Sequence, residues 1–161
     1  MGMKVRISSV ALQQITADAN ASPDAEICGL LFGDGDMVEV AEPCSNVASD
    51  PSTTFEIDPS RLIAAHRAMR AGGPKLIGCY HSHPKGPPEP SPRDAAAADA
   101  DGWLWIIAAA SVTRIYRAVA GGSLHGMFEP LACEIVPPGC ADRAPSPEGA
   151  AVEHVRGEVS R

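Results

Sequence analysis

His81-Ser82-His83 places two imidazoles two residues apart, and Ser91 and Asp94 follow closely. The apolar run ahead of them, residues 75–80, reads as a buried strand. Alternation along a strand sends His81 and His83 to the same face. Two imidazoles on one face at a strand end are half of a metal site. Asp94 adds a carboxylate at the start of a predicted helix, Ser91-Pro92-Arg93-Asp94. Two nitrogens and one oxygen suit a zinc ion with a fourth position left for water.

Two of these residues also have an ordinary structural reading. Ser-Pro-x-Asp is a helix N-terminus in which the carboxylate reaches back to the cap. That reading is compatible with metal binding, because a helix start fixes the carboxylate in space and its dipole favours the ionised form. Glu26 is the fourth candidate. It opens the nearly continuous apolar run 26–33, where an unpaired carboxylate is costly. Position alone leaves two roles open for it. One is a solvated strand edge beside Asp24. The other is a general base that takes a proton from water attacking a carbonyl and delivers it to the leaving amine.

Taken together, Glu26-Ile-Cys-Gly-Leu-Leu, His81-Ser-His83-Pro and Ser91-x-x-Asp94 resemble the JAMM motif of the JAMM/MPN metalloproteases. That motif runs Glu, then His-x-His, seven residues, Ser, two residues, Asp. Residues 84–90 are the seven and residues 92–93 the two. The resemblance spans residues 3–136, including Phe55-Glu-Ile-Asp-Pro and Gly78-Cys-Tyr, and points to the short bacterial stand-alone members. It implies one Zn²⁺ held by His81, His83 and Asp94, with Glu26 as general acid/base. It implies that Ser91 hydrogen-bonds the tetrahedral oxyanion or helps to hold the water. The implied substrate is the amide after the C-terminal Gly-Gly of ubiquitin or a ubiquitin-like protein. In bacterial relatives this is a β-grasp sulfur-carrier protein, and the leaving group is in some cases an amino acid such as cysteine. A thin, extended Gly-Gly tail suits a narrow channel, and residues 46–55 are expected to form one wall of it.

Other classes fit less well. A zinc deaminase needs His-x-Glu with Pro-Cys-x-x-Cys, and a thermolysin-like protease needs His-Glu-x-x-His on a helix. Neither pattern is present. A non-catalytic MPN-type scaffold remains an alternative, although such proteins usually lose motif residues and all five are here. A JAMM peptidase acting on small peptides is a second alternative.

The elements that must position these residues follow from periodicity and punctuation. Strands are expected at 3–7, 26–33, 37–41, 54–57, 75–80, 103–108, 113–119, 124–127 and 131–136, with a hairpin at Asp34-Gly35-Asp36 and a turn at Gly121-Gly122. Helices are expected over 9–20 after a serine cap, from Asp58-Pro59 to about Ala71, and from Pro92 through Ala98. Residues 43–53 and the proline-rich stretch 85–90 read as shaped loops. Trp103 and Trp105 read as core or interface, His66 as solvated, and His125 and His154 as lacking ligand spacing. The resemblance implies an α+β fold: a mostly antiparallel mixed sheet flanked by helices, three-layer α/β/α-like, of the cytidine-deaminase-like MPN type.

The 161 residues are enough for one domain with its own core. Apolar residues make up 45% but aromatics only 4%, so Ala, Val, Leu and Ile must fill the interior. A net charge of -7, from 20 acidic and 13 basic residues, argues against tracking nucleic-acid phosphates. No apolar run approaches the roughly 18 residues of a membrane span. Residues 1–6 lack a signal-peptide core, so a cytoplasmic location is expected. Five cysteines (28, 44, 79, 133 and 140) with no CxxC pair read as reduced thiols. The expected organisation is a catalytic domain over 1–136 and a Pro/Gly/Ala-rich tail over 137–161, whose end reads as a short helix or a frayed segment. The sequence leaves the oligomeric state open, a homodimer included.

Overall fold

The local signals act where they stand in the chain. Ser8 ends strand β1 (Lys4–Ser8) and caps helix α1 (Ser9–Asn20), its hydroxyl accepting from the Ala11 N–H at 3.1 Å. Strands β2 (Cys28–Asp34) and β3 (Met37–Cys44) form the expected hairpin around Gly35, which takes a φ of 58° that favours glycine. Asp58 caps α2 (Pro59–Arg70), with Pro59 in the first turn, where a missing N–H costs nothing. Then come β4 (Leu76–Ser82), α3 (Pro92–Ala97), β5 (Leu104–Ala109), β6 (Val112–Gly122) and β7 (Gly126–Val136). The computed structural model describes residues 4–137. The expected tail, with His154 and Cys140, lies outside the described residues apart from Pro137.

The strands lie in the order β1-β3-β2-β4-β5-β6-β7, and β7 pairs back with β1, so the sheet closes on itself. Pairing is antiparallel for β2/β3, β2/β4, β5/β6 and β6/β7. It is parallel for β1/β3, β1/β7 and β4/β5. Among the described residues, the expectation of a mixed sheet with three helices is met, the sheet having four antiparallel and three parallel pairings. Closure was not foreseen, because parallel pairing of the first and last strands leaves no local signature.

Alternation along the central strands builds two apolar faces. Tyr80, Leu104 and Ile106 point to α1, where Ala11 and Ile15 are fully buried against them. Cys79, Trp105 and Ile107 point the other way, towards Ala95 and Ala98 of the α3 region and towards Phe55. Helix α2 covers Leu30, Phe32 and Leu76 with Ala65, Leu62 and Met69.

Four expectations need correction. Residues 54–57 do not form a strand; only an isolated bridge joins Ile57 to Asn46, because the segment is held by side-chain bonds rather than by a ladder. The two short final strands are one, β7, since Pro130 pairs with Tyr116 without needing to donate. Gly121-Gly122 lies at the end of β6, and the turn follows at Ser123–His125, with His125 at a φ of 53°. His66 is half-buried rather than solvated, stacked 6.1 Å from Trp103.

Candidate metal centre

The histidine pair stands at the end of β4, which is flanked by β2 and β5. Backbone bonds fix its place on both sides. The Ser82 N–H donates to the Ile27 carbonyl at 3.1 Å, and the His83 N–H to the Ala108 carbonyl at 2.8 Å. The β2/β4 register pairs Cys28 with His81. Continued two residues back along an antiparallel pair, it sets Glu26 opposite His83. A separation of 57 positions in the chain (83 − 26) is thus closed by strand pairing.

Asp94 arrives from a different element. Its carboxylate Oδ2 accepts from the Ser91 N–H at 2.9 Å, while the Ser91 Oγ accepts from the Asp94 N–H at 3.1 Å, a reciprocal capping box. The loop that leads there is anchored through proline carbonyls. Tyr116 donates its hydroxyl to Pro88 at 2.6 Å, His125 Nε2 donates to Pro90 at 3.0 Å, and His83 Nδ1 donates to Pro87 at 2.8 Å. His125 therefore has a use that ligand spacing could not show.

At the centre, His81 Nε2 and His83 Nε2 lie 3.0 Å apart. Asp94 reaches both: Oδ1 is 3.3 Å from His81 Nε2 and Oδ2 is 3.3 Å from His83 Nε2. Glu26 Oε1 stands 4.0 Å from His83 Nε2. Glu26, His81 and Asp94 are buried, and the imidazole of His81 stacks on Phe55 with ring centres 4.2 Å apart. Ser91 is present as the cap of α3, half-buried.

The donor set fits a small divalent cation. Ligand atoms about 2.0–2.1 Å from a tetrahedral ion are separated by about 3.3 Å, and the observed separations are 3.0 and 3.3 Å. A carbonyl can only accept, so in the neutral imidazole the bond to Pro87 puts the proton of His83 on Nδ1 and aims the Nε2 lone pair into the cluster. Glu26, His81 and His83 can also bring one ligand atom each within 4.8 Å of one another. Distance separates the two carboxylates: Asp94 touches both imidazoles, whereas Glu26 approaches one, and from further off.

The electrostatics divide the same two carboxylates. Burial pushes Glu26 up to about 7, against the opposing pull of His83. Burial acts on Asp94 too, but hydrogen bonds from His81 and His83 outweigh it and hold the carboxyl well below the usual range. Burial lowers His81 despite Asp94, while for His83 the bonds to Asp94 and Pro87 overcome burial and raise it. One carboxylate stays ionised and the other is poised near neutrality, the division expected of a ligand beside a proton carrier.

The sequence itself matches a known family over most of the described chain: residues 8–119 match the prokaryotic homologs of the JAB domain, Prok-JAB. The chain belongs to the Prok-JAB family. Among its relatives is a desampylase of Haloferax volcanii, 40% identical over 91 residues, which cover 55% of this chain and 66% of that protein. Another is a probable TtuB-protein conjugate cleaving protease of Thermus thermophilus, 36% identical over 93 residues, 58% of this chain and 62% of that one. The match thus spans just under two thirds of either relative. Human deubiquitinase MYSM1 is 37% identical over 97 residues, 11% of its length. Among solved structures, a protein of Desulfitobacterium hafniense superposes with a TM-score of 0.70 at 25% identity, over 84% of this chain and 94% of that one. A structure described as a JAMM metalloprotease-like zinc site in the proteasome and signalosome shares the fold, with a TM-score of 0.52 at 19% identity over 83% of this chain.

Four residues that hold this Prok-JAB site together were not singled out from the sequence as site residues. Ser82 lies between the histidines, faces away from them, and accepts the Ile27 N–H at 2.9 Å. Strand alternation already placed it on that side. Phe55, Tyr116 and Asn46 act across long separations that no local pattern reports.

Proposed function

We propose that this protein is a zinc-dependent isopeptidase that hydrolyses the amide after the C-terminal Gly-Gly of a ubiquitin-like or sulfur-carrier protein. The observation that carries the reading is the convergence of His81 Nε2, His83 Nε2 and the Asp94 carboxylate within 3.3 Å of one another, with Glu26 4.0 Å from His83. His81, His83 and Asp94 would hold one zinc ion, which when bound acidifies water and polarises a carbonyl. Glu26 takes the proton of the attacking water and hands it to the leaving amine. Its pKa near 7 lets it do both. The Ser91 hydroxyl keeps its own proton free, because in the cap it accepts rather than donates, and it gives that proton as a hydrogen bond to the developing oxyanion.

The substrate class is supported by the relatives, one named for cleaving a protein conjugate and another for removing ubiquitin. The channel wall expected at 46–55 lies against Glu26, whose N–H donates to the Pro51 carbonyl at 2.8 Å, and near Arg93, which reaches the Thr53 hydroxyl at 3.5 Å. The test uses a β-grasp carrier protein ending in Gly-Gly and amide-linked to a reporter. Wild-type protein with one bound zinc should release the reporter. Glu26→Gln should keep zinc and lose at least about 100-fold in rate. Asp94→Asn should lose zinc itself, read by metal analysis. Zinc binding without hydrolysis by the wild type would make the protein a scaffold and end this reading.

A further inference from the structure

We propose that Asn46 is a positioning residue for Glu26, acting on the turnover step and not on capture of the metal or the substrate. The role rests on the hydrolase reading above, but the contact it depends on is independent of it.

Glu26 precedes β2, so its own N–H and carbonyl have no ladder partners. A buried catalytic carboxylate on an untethered backbone would sample many positions. Both backbone groups are instead taken by one loop. The Glu26 N–H donates to the Pro51 carbonyl at 2.8 Å. The Glu26 carbonyl accepts from Asn46 Nδ2 at 2.9 Å. The second hydrogen of that amide goes to the Thr54 carbonyl at 3.0 Å. Asn46 Oδ1 accepts from the Ala48 and Glu56 N–H groups, each at 3.0 Å. Both donors and both acceptor positions of the side chain are thereby used. The amide orientation is also fixed, since two carbonyls face the nitrogen and two N–H groups face the oxygen.

The Asn46 side chain therefore links four backbone positions, 26, 48, 54 and 56, and ties Glu26 to a segment that begins 28 residues further along the chain (54 − 26). Removing its donor arm frees the Glu26 carbonyl while the strand-end bonds around His81 and His83 stay in place. The consequence should fall on the geometry of proton transfer, where a displacement near 1 Å costs about 100-fold.

The experiment compares wild type, Asn46→Ala and Asn46→Asp. The aspartate variant keeps the size and the acceptors for Ala48 and Glu56, but turns a charged acceptor towards the Glu26 and Thr54 carbonyls in place of the two donors. Each is loaded with zinc, and cleavage of a β-grasp carrier ending in a Gly-Gly aminocoumarin amide is followed. Amide hydrogen exchange at Glu26 is measured on the same samples. The expected result is a kcat reduced about 10- to 100-fold in both variants. KM and zinc affinity should stay within about threefold of wild type, and the Glu26 N–H should exchange faster. In a Glu26→Gln background, Asn46→Ala should add little or nothing, because both changes remove the same function. A full additive loss in that background, a rise in KM at constant kcat, or a fall in zinc affinity would each overturn the proposal. If the wild type binds zinc but cleaves nothing, the hydrolase reading fails. Exchange at Glu26 in Asn46→Asp then decides the contact alone: faster exchange supports it and unchanged exchange refutes it.

Discussion

Glu26→Gln should stabilise the metal-stripped protein, and by an amount that depends on pH. Glu26 is 5% exposed and its carboxyl is raised from 4.5 to about 7. The sign follows from linkage. Below pH 4.5 the side chain is protonated in both folded and unfolded chains, and it contributes nothing. Between 4.5 and 7 the folded protein still holds a proton that the unfolded chain has released, so stability falls as the pH rises. Above 7 the loss is complete. At about 1.4 kcal/mol per pH unit the full effect is at most about 3.5 kcal/mol. Glutamine has the same shape and no charge to bury, so it escapes this loss. Asp94 and His83 titrate in both proteins and largely cancel in the difference. Melting temperatures of the two stripped proteins, followed from pH 4 to pH 8.5, should therefore diverge in favour of Glu26→Gln by up to about 10 °C at the alkaline end. Added zinc should shrink the gap, because a nearby cation favours the ionised carboxylate. A difference that stays flat across the range, or grows towards acid, would refute the reasoning that burial dominates at this residue.

Two further outcomes test how the site is carried. Ser82→Ala removes the hydroxyl that accepts the Ile27 N–H, which should cost about 1–3 kcal/mol and show as a lower denaturant midpoint with unchanged slope. Gly78→Ala should prevent stable folding, because a Cβ there would lie 2.0 Å from the Leu104 carbonyl oxygen on the neighbouring strand. Soluble yield and thermal melting would reveal this, and a well-folded Gly78→Ala would contradict the β4/β5 pairing.

How much of this was legible depended on the range over which each signal acts. His81 and His83 could be placed on one face from a two-residue period. The cap at Ser91 and Asp94 could be read from four consecutive letters, and the structure forms it as a reciprocal capping box. Glu26 was ambiguous because its burial depends on a strand 55 residues away and a loop 20 residues away. Asn46 was half legible: its bond to the Ala48 N–H is the local turn that asparagine favours in polar loops, while its bond to Glu26 has no sequence signal. The 54–57 segment was misread as a strand because Phe55 and Ile57 alternate with polar neighbours. Their alternation serves instead to bring Phe55 against His81 and Ile57 against α2.

The pairing of β1 with β7 has a consequence for how the molecule is made. Lys4 is matched to Ala132 and Ser8 to Val136, partners 128 residues apart. On the ribosome the opening strand must wait for nearly all of this stretch to emerge before its second neighbour exists. The segments bearing Glu26 and the histidines are synthesised well before that. Such distant closure is slow in loop-entropy terms, so the segments bearing Glu26 and the histidines can meet early, while closure of the sheet comes only with β7.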